Sequence, residues 1–226
     1  DAEVSLKSGP CPYVSRGGLK LRAALDAFTS INVLGRVCLD VGASTGGFTD
    51  CLLQNGAAHV LALDVGYGQI AWSLRNDPRV EVVERTNFRT VDVARLGERF
   101  DLVTIDASFI SLLLLLERAR EALRPEGRIV GLIKPQFEAG PERVGPGGVV
   151  RDPEIHEAIL REVRDGAAAR GISLRAIAPS PLRGPAGNIE FLGLFLPGQG
   201  EPPSDGEIAG IVRAAHGRSS PEGGDS

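Results

Sequence analysis

The chain has 226 residues, 42% of them hydrophobic and 24% charged, which excludes a wholly disordered polymer and a fold that needs disulfides or metal to hold together. Its 25 Lys and Arg against 29 Asp and Glu leave a net charge of −4, which excludes a globally basic nucleic-acid binder. The longest apolar run, residues 109–116, is broken by Ser111 and falls far short of the ~20 residues that cross a bilayer.

In chain order, residues 1–15 lack periodicity and contain Gly9-Pro10 and Pro12, which predicts an extended lead-in. Leu19, Ala23 and Ala27 share a helical face that predicts a helix to about residue 29. A regular alternation follows. Strands are predicted at 36–41, 59–64, 80–84, 100–106 and 127–133, with helices at 48–55, 69–75 and 112–123 between them. Gly56 closes the second helix and Pro125 is expected to end the fourth. Asp152-Pro153 is a helix start, an N-cap with proline behind it, and that helix should reach about 170 before Gly171. Two more strands are expected at 174–178 and 189–196, with no helix between them.

Such alternation implies an α/β fold with a mostly parallel sheet, an antiparallel last strand and helices on both faces. One domain is expected over 16–198, followed by an acidic, largely disordered tail over 199–226. The glycine-rich stretch 135–151 has the length of a functional lid. Cys11, Cys38 and Cys51 show no C-x-x-C spacing, and His59, His156 and His216 are scattered, so neither a disulfide framework nor a metal site is expected. The cysteine usage reads as a reducing cytoplasm. With Asp1 first, no methionine and no signal-peptide pattern, the sequence reads as cut at its N-terminus. Charge is uneven: Lys7, Arg16, Lys20, Arg22 and Arg36 face one acid, Asp26, and Arg170, Arg175 and Arg183 stand in a stretch without any. Folded together, these segments would make a phosphate-facing patch, with Arg16 and Arg183 its candidate contacts.

The densest chemistry is Asp40-Val41-Gly42-Ala43-Ser44-Thr45-Gly46-Gly47-Phe48, where the first strand hands over to a helix. Glycines there let a ligand approach bare peptide groups, at the strand end where open α/β sheets bind ligands. Asp40 is placed to accept from a ligand amine or hydroxyl. Asp64 ends the second strand, where a carboxylate can bond the two ribose hydroxyls of an adenosine. The turn fits neither G-x-G-x-x-G nor the lysine-containing phosphate loop. A cationic nucleoside ligand with an amino acid head and no pyrophosphate fits better, and S-adenosylmethionine has that chemistry. Val65 flanks the same strand tip, and Asn87, after the third strand, is a candidate neighbour of the adenine. Phe109 and Phe137 read as core or as base-stacking rings, and Trp72 as core.

Several segments together resemble one family: Tyr13-Val14-Ser15-Arg16-Gly17-Gly18-Leu19-Lys20, the run from Asp40 to Asp50, Leu63-Asp64-Val65-Gly66-Tyr67-Gly68-Gln69, Glu84-Arg85-Thr86-Asn87, Ile105-Asp106-Ala107-Ser108-Phe109-Ile110-Ser111 and Lys134-Pro135-Gln136-Phe137-Glu138. They look like the TlyA, or haemolysin-A-type, RNA methyltransferases, which are similar to FtsJ-type 2′-O-methyltransferases. The resemblance runs from about Tyr13 to Leu196. It implies a Rossmann-like, seven-stranded methyltransferase fold, S-adenosylmethionine as cofactor, and ribosomal-RNA cytidine riboses as substrate, hence ribosomal subunits as partners. It also implies an N-terminal S4-type RNA-binding domain, which these residues do not include. The family's Lys-Asp-Lys-Glu tetrad matches Lys20, Asp106, Lys134 and Glu190.

Independently of the resemblance, Asp106 and Lys134 cap predicted strands, Glu190 opens the last one and Lys20 lies on the first helix, so the four can converge. Lys134 is the candidate base. Lys20 and a sulfonium favour its neutral form, while Asp106 and Glu190 favour the charged one, in which it would steer the hydroxyl and stabilise oxyanion charge. Two other readings compete: a membrane-active haemolysin, and a cofactor- and RNA-binding module without catalysis.

Overall fold

A computed structural model describes residues 11–97 and 99–217. Its elements follow the sequence periodicity: α1 (Gly17–Ala27), β1 (Val37–Val41), α2 (Gly47–Gln54), β2 (His59–Leu63), α3 (Trp72–Arg75), β3 (Val80–Val83) and β4 (Phe100–Ile105). Then come α4 (Leu113–Ala122), β5 (Leu123–Ile133), α5 (Pro135–Glu138), α6 (Pro153–Ala168), β6 (Ile172–Pro179), β7 (Phe191–Pro197) and α7 (Asp205–Gly217).

The seven strands make one sheet in the order β3-β2-β1-β4-β5-β7-β6. All pairs are parallel except those of β7, which runs antiparallel to both β5 and β6. Register fixes what meets at the edge. Val41 pairs with both Leu63 and Ile105, so β1, β2 and β4 end level. Because β7 is reversed, its first residue, Phe191, pairs with the last residue of β5, Ile133. The residues just outside these pairs, Asp64, Asp106, Lys134 and Glu190, therefore leave the sheet along one edge.

Both faces of the sheet are covered, which is why its inner strands are apolar almost throughout rather than alternating. On one face Leu39, Val103 and Ile129 pack with Leu116 of α4, Leu160 of α6 and Val212 of α7. On the other, Cys38, Leu102 and Val130 pack with Leu21 of α1 and Leu52 of α2.

Several expectations need correction. β5 begins at Leu123, directly after α4, and Pro125 lies inside it where the pairing with β4 slips register between Phe100 and Leu102. An irregular, edge-like stretch tolerates a residue that donates no hydrogen bond. Trp72 is not core: it is 76% exposed on the four-residue α3. Nor is the segment after 199 a disordered tail throughout. α7 buries Ile208, Val212 and Ala215, and Arg164 of α6 bonds Asp205 at 2.6 Å and the Pro203 carbonyl at 3.1 Å. The acidic composition misled because the acids occupy the outer face. Within the lead-in, residues 11–15 are tied down: the Val14 N–H donates to Asp50 (2.8 Å) and Gln54 to the Pro12 carbonyl (2.9 Å). Residues 1–10 and 218–226 lie outside the described ones. The 135–151 stretch is docked, with Arg143 on Glu162 (2.7 Å) and the buried Asn188 amide donating to Gly148 O and accepting from Val150 N–H. No described helix is long and apolar enough to cross a membrane. Among described residues no group of three or more His, Cys, Asp or Glu could hold a metal ion.

Two histidines far apart in sequence meet. His156 Nδ1 lies 3.0 Å from His216 Nε2, joining α6 to α7, and the His156 ring stands edge-on to Phe191. Burial, and then the neighbouring His216, lower the His156 pKa to about 4, and Arg183 adds to this while Asp152 opposes it; His216 is lowered as well, first by burial. A histidine whose pKa is depressed on folding contributes stability above its unfolded value, near 6.5, and that stability is lost as pH falls toward 4. Urea unfolding at pH 7 and pH 5 should thus show an acid loss on the order of 2 kcal/mol, and His156→Leu should shrink it. An unchanged loss in the variant would contradict the assignment.

Candidate active site

β1 delivers the chain into a turn that has no room for a Cβ at Gly42 or Gly47. Gly42 (φ +81°) passes so close to β4 that a Cβ there would stand 2.6 Å from the Asp106 carbonyl oxygen. The N–H groups of Gly42 and Ala43 both donate to Leu63 O, at 2.9 and 3.2 Å. Ser44, left-handed at φ +50°, gives its N–H to Asp64 Oδ2 at 2.8 Å, while Asp64 Oδ1 accepts from Gly66 N–H at 2.6 Å. One carboxylate thus fastens the loops after β1 and β2 to each other. Gly46 (φ +96°) reverses the chain into α2, and Gly47 lets α2 touch α1: a Cβ there would meet Ser15 Oγ at 2.3 Å and Gly18 N at 2.8 Å.

Two clefts open at this edge. The first, about 380 Å³, is lined by Gly42, Ala43, Ser44, Thr45, Gly47 and Phe48 together with Lys20 and Asp106, and Arg16 and Arg183 stand on its rim. The second, about 460 Å³, is lined by Gly42, Ser44, Asp64, Val65, Asn87, Ser108 and Asp106. Gly42, Ser44 and Asp106 belong to both walls. Two residues expected to touch the cofactor do not line either cleft. Gly46 is buried and serves the turn. Asp40 is wholly buried, its oxygens taken by the hydroxyls of Thr49 (2.7 Å) and Thr104 (3.0 Å). Burial pushes its pKa up to about 6, against the two hydroxyls that lower it. Its place is beneath the turn, bracing α2 against β4.

The four charged residues converge as two ion pairs. Lys134 Nζ is 2.7 Å from Asp106 Oδ1, and Lys20 Nζ is 2.6 Å from Glu190 Oε2. Each pair has one member on the first cleft, Asp106 or Lys20, and one behind it, with the Lys134 side chain 9% and Glu190 1% exposed. Sequence spacing implies four groups at a pocket mouth; the structure sets two of them, Lys134 and Glu190, back from the wall of the first cleft. Gly184 admits Glu190, since a Cβ there would meet its Oε1 at 2.6 Å.

Three further residues belong to the site and were not identified from sequence. Ser15 lines the first cleft. Ser108 lines the second and accepts from Lys134 Nζ at 2.9 Å. Glu138 of α5 accepts from Ser111 Oγ (2.6 Å) and Leu112 N–H (2.7 Å), anchoring the loop after β4 to the segment that follows Lys134. Its pKa is raised by burial, against those two bonds. Small polar residues inside the Ser15-Arg16-Gly17 and Asp106-Ala107-Ser108 motifs were the available signal. Asn87 spends its side-chain oxygen on Arg89 N–H (3.0 Å). Phe109 is not core: it is 91% exposed at φ +64°, with its ring centroid 5.1 Å from that of Phe137.

A reversed β7 in a seven-stranded sheet, with a glycine turn and paired lysines at the same edge, defines a Rossmann-like α/β methyltransferase fold. The chain belongs to the FtsJ-like methyltransferase family, which matches residues 13–195. It is 48% identical to YqxC of Bacillus subtilis, named as an rRNA methyltransferase, over 96% of this chain and 78% of that one. It is 54% identical to the 16S/23S rRNA (cytidine-2′-O)-methyltransferase TlyA of Mycobacterium tuberculosis, over 79% of this chain and 66% of that one. A solved Streptococcus thermophilus protein named as a hemolysin superposes with a TM-score of 0.88 at 43% identity, covering 93% of this chain and 76% of that one. A Burkholderia thailandensis N1-methyltransferase solved with S-adenosylhomocysteine shares the fold alone, at TM-score 0.54 and 22% identity, over 81% of this chain and 78% of that one.

The Gly42 geometry makes a direct prediction. Gly42→Ala should lower unfolding stability by about 1–3 kcal/mol, because alanine at that φ is strained and its methyl meets the Asp106 carbonyl. Denaturant unfolding measures it, and wild-type stability in the variant would refute the close approach.

Proposed function

We propose that this chain transfers a methyl group from S-adenosylmethionine to the ribose 2′-oxygen of a cytidine in ribosomal RNA. The reading rests on one observation above all: the Lys134–Asp106 pair stands beside the wall shared by the two clefts. The names of the Bacillus and mycobacterial relatives supply the RNA, the cytidine and the 2′-position. Acting on ribosomal RNA implies a cytoplasmic enzyme with ribosomal subunits as its partners.

The residues present fit the cofactor. The small residues Gly42, Ala43, Ser44, Thr45 and Gly47 line the first cleft, and Asp64 holds a carboxylate on the second. Asp64 would hold the ribose hydroxyls, Val65 and Asn87 would flank the adenine, and the turn from Gly42 to Gly47 with Phe48 would face the amino acid end. Bound S-adenosylmethionine would supply an electrophilic methyl group.

The chain's own part is to hold the nucleophile and manage its proton. Asp106 and Ser108 fix Lys134 Nζ, which gives one ammonium proton to solvent and, as the neutral amine, then receives the proton of the 2′-hydroxyl. Glu190 fixes Lys20 on the first cleft, where its charge steadies the oxygen. Such positioning can lower a barrier by ~7–11 kcal/mol, and proton transfer to a placed base adds roughly 10²–10⁴-fold. Arg16 and Arg183 on the rim would meet phosphates, and the exposed Phe109 ring a base.

Lys134→Ala should abolish methyl transfer to ribosomal subunits and leave S-adenosylmethionine affinity, read by calorimetry, within about threefold of wild type. Undiminished turnover would reject the mechanism. Mapping of 2′-O-methylation in rRNA from cells with and without the protein tests the substrate.

A further inference from the structure

We propose that Ser108 is a positioning residue for the reaction, acting through Lys134; the inference rests on the function proposed above. An amine carries its hydrogens and lone pair in tetrahedral directions. One of those directions is taken by the bond to Cε, so with Asp106 as its one acceptor the neutral Lys134 amine could exchange hydrogen and lone pair between its two remaining positions. The structure gives it a second acceptor. Lys134 Nζ lies 2.7 Å from Asp106 Oδ1 and 2.9 Å from Ser108 Oγ. Two N–H groups thereby have fixed partners, and the direction left over is set. In the neutral amine that direction carries the lone pair, which is what a base must aim at a hydroxyl proton.

Both acceptors stand on the wall of the second cleft, whereas Lys134 is 7% exposed and lies behind them. Ser108 uses its oxygen to accept from Lys134, and no hydrogen-bond acceptor for its own proton is found among the described residues.

The loop bearing Ser108 is also held in place. Phe109 adopts φ +64°, a conformation a bulky residue takes only when its surroundings impose it. Those surroundings come from α5, which begins next to Lys134. Glu138 grips Ser111 Oγ and Leu112 N–H, and the Phe137 ring meets that of Phe109. The segment carrying the amine thus also fixes the loop carrying its second acceptor.

Ser108→Ala and Ser108→Thr should be compared with wild type in methyl transfer to intact ribosomal subunits, at saturating donor and RNA. Losing one hydrogen bond to the amine should lower kcat of the alanine variant by about tenfold or more. The KM for S-adenosylmethionine and the urea midpoint should stay as in wild type, and the threonine variant, which keeps the hydroxyl, should recover most of the rate. Wild-type kcat in Ser108→Ala overturns the proposal, as does a threonine variant no faster than alanine. A rise in KM with kcat unchanged also overturns it, since Ser108 would then serve cofactor binding. Wild type that places no methyl on a ribose 2′-oxygen rejects the function itself, a result distinct from any of these.

Discussion

Removing an ammonium from water costs several kcal/mol unless a well-placed carboxylate meets it, and this protein does so twice on one sheet edge. Each lysine is supplied by a different element from its acid: Lys20 by α1 and Glu190 by the start of β7, Lys134 by the end of β5 and Asp106 by the end of β4. Breaking either pair would leave a buried charge uncompensated, which is far worse than never having buried it. The pairs therefore specify how the two halves of the sheet and the first helix come together. The same bonds that satisfy these charges leave their amines fixed in place. Stability and chemistry make the same demand on these residues.

Asp106 is where the two demands meet. Its side chain pairs with Lys134 and lines both clefts, while its carbonyl lies against Gly42. Its N–H also donates to Val41 O at 3.0 Å. The turn that would cradle a cofactor and the residue that holds Lys134 are thus in contact through backbone. A displacement of one is transmitted to the other without any intervening side chain, because glycine leaves none. Reacting groups must be placed to within fractions of an ångström, and backbone contact is the stiffest way to achieve that.

Much of this was legible in the sequence, and where legibility ended is instructive. Apolar runs marked every strand, because strands buried on both faces cannot hide their composition. The reversal of β7 followed from the missing helix before it, and that reversal is what brings Glu190 to the same edge as Lys134. What sequence could not give was depth. Asp40 and Asp64 both read as strand tips beside glycine turns, yet Asp40 lies inside β1, level with Ala62 and sealed beneath two threonines, while Asp64 has left β2 and faces a cleft. Strand periodicity says which face a residue takes, not how far the next loop folds over it. Exposure at the edge was equally hidden: Trp72 and Phe109 are apolar by composition and exposed in fact. α7 was missed for the opposite reason. Its Asp205 and Glu207 resemble those of a solvated tail, and the pairing of His156 with His216 depends on two helices meeting, which no local pattern records.

Backbone strain gathers at the edge where the clefts open. Among described residues, the non-glycine positions with left-handed backbone are Ser44, Arg85 and Phe109, in the loops after β1, β3 and β4. All lie at the sheet edge where the clefts open, and none in the connections at the opposite edge. Each is held by a neighbour from another loop or helix: Ser44 by the Asp64 carboxylate, Arg85 by Gly66 O at 3.0 Å and the Tyr67 ring at 4.1 Å, Phe109 by Phe137. Conformations of this kind cost of order 1–3 kcal/mol each and persist only where the surroundings over-determine them. A sheet packed on both faces is what can supply that determination. Its rigidity lets the loops keep shapes they would not choose, and those shapes leave Asp64, Asp106 and Ser108 on the walls of the clefts.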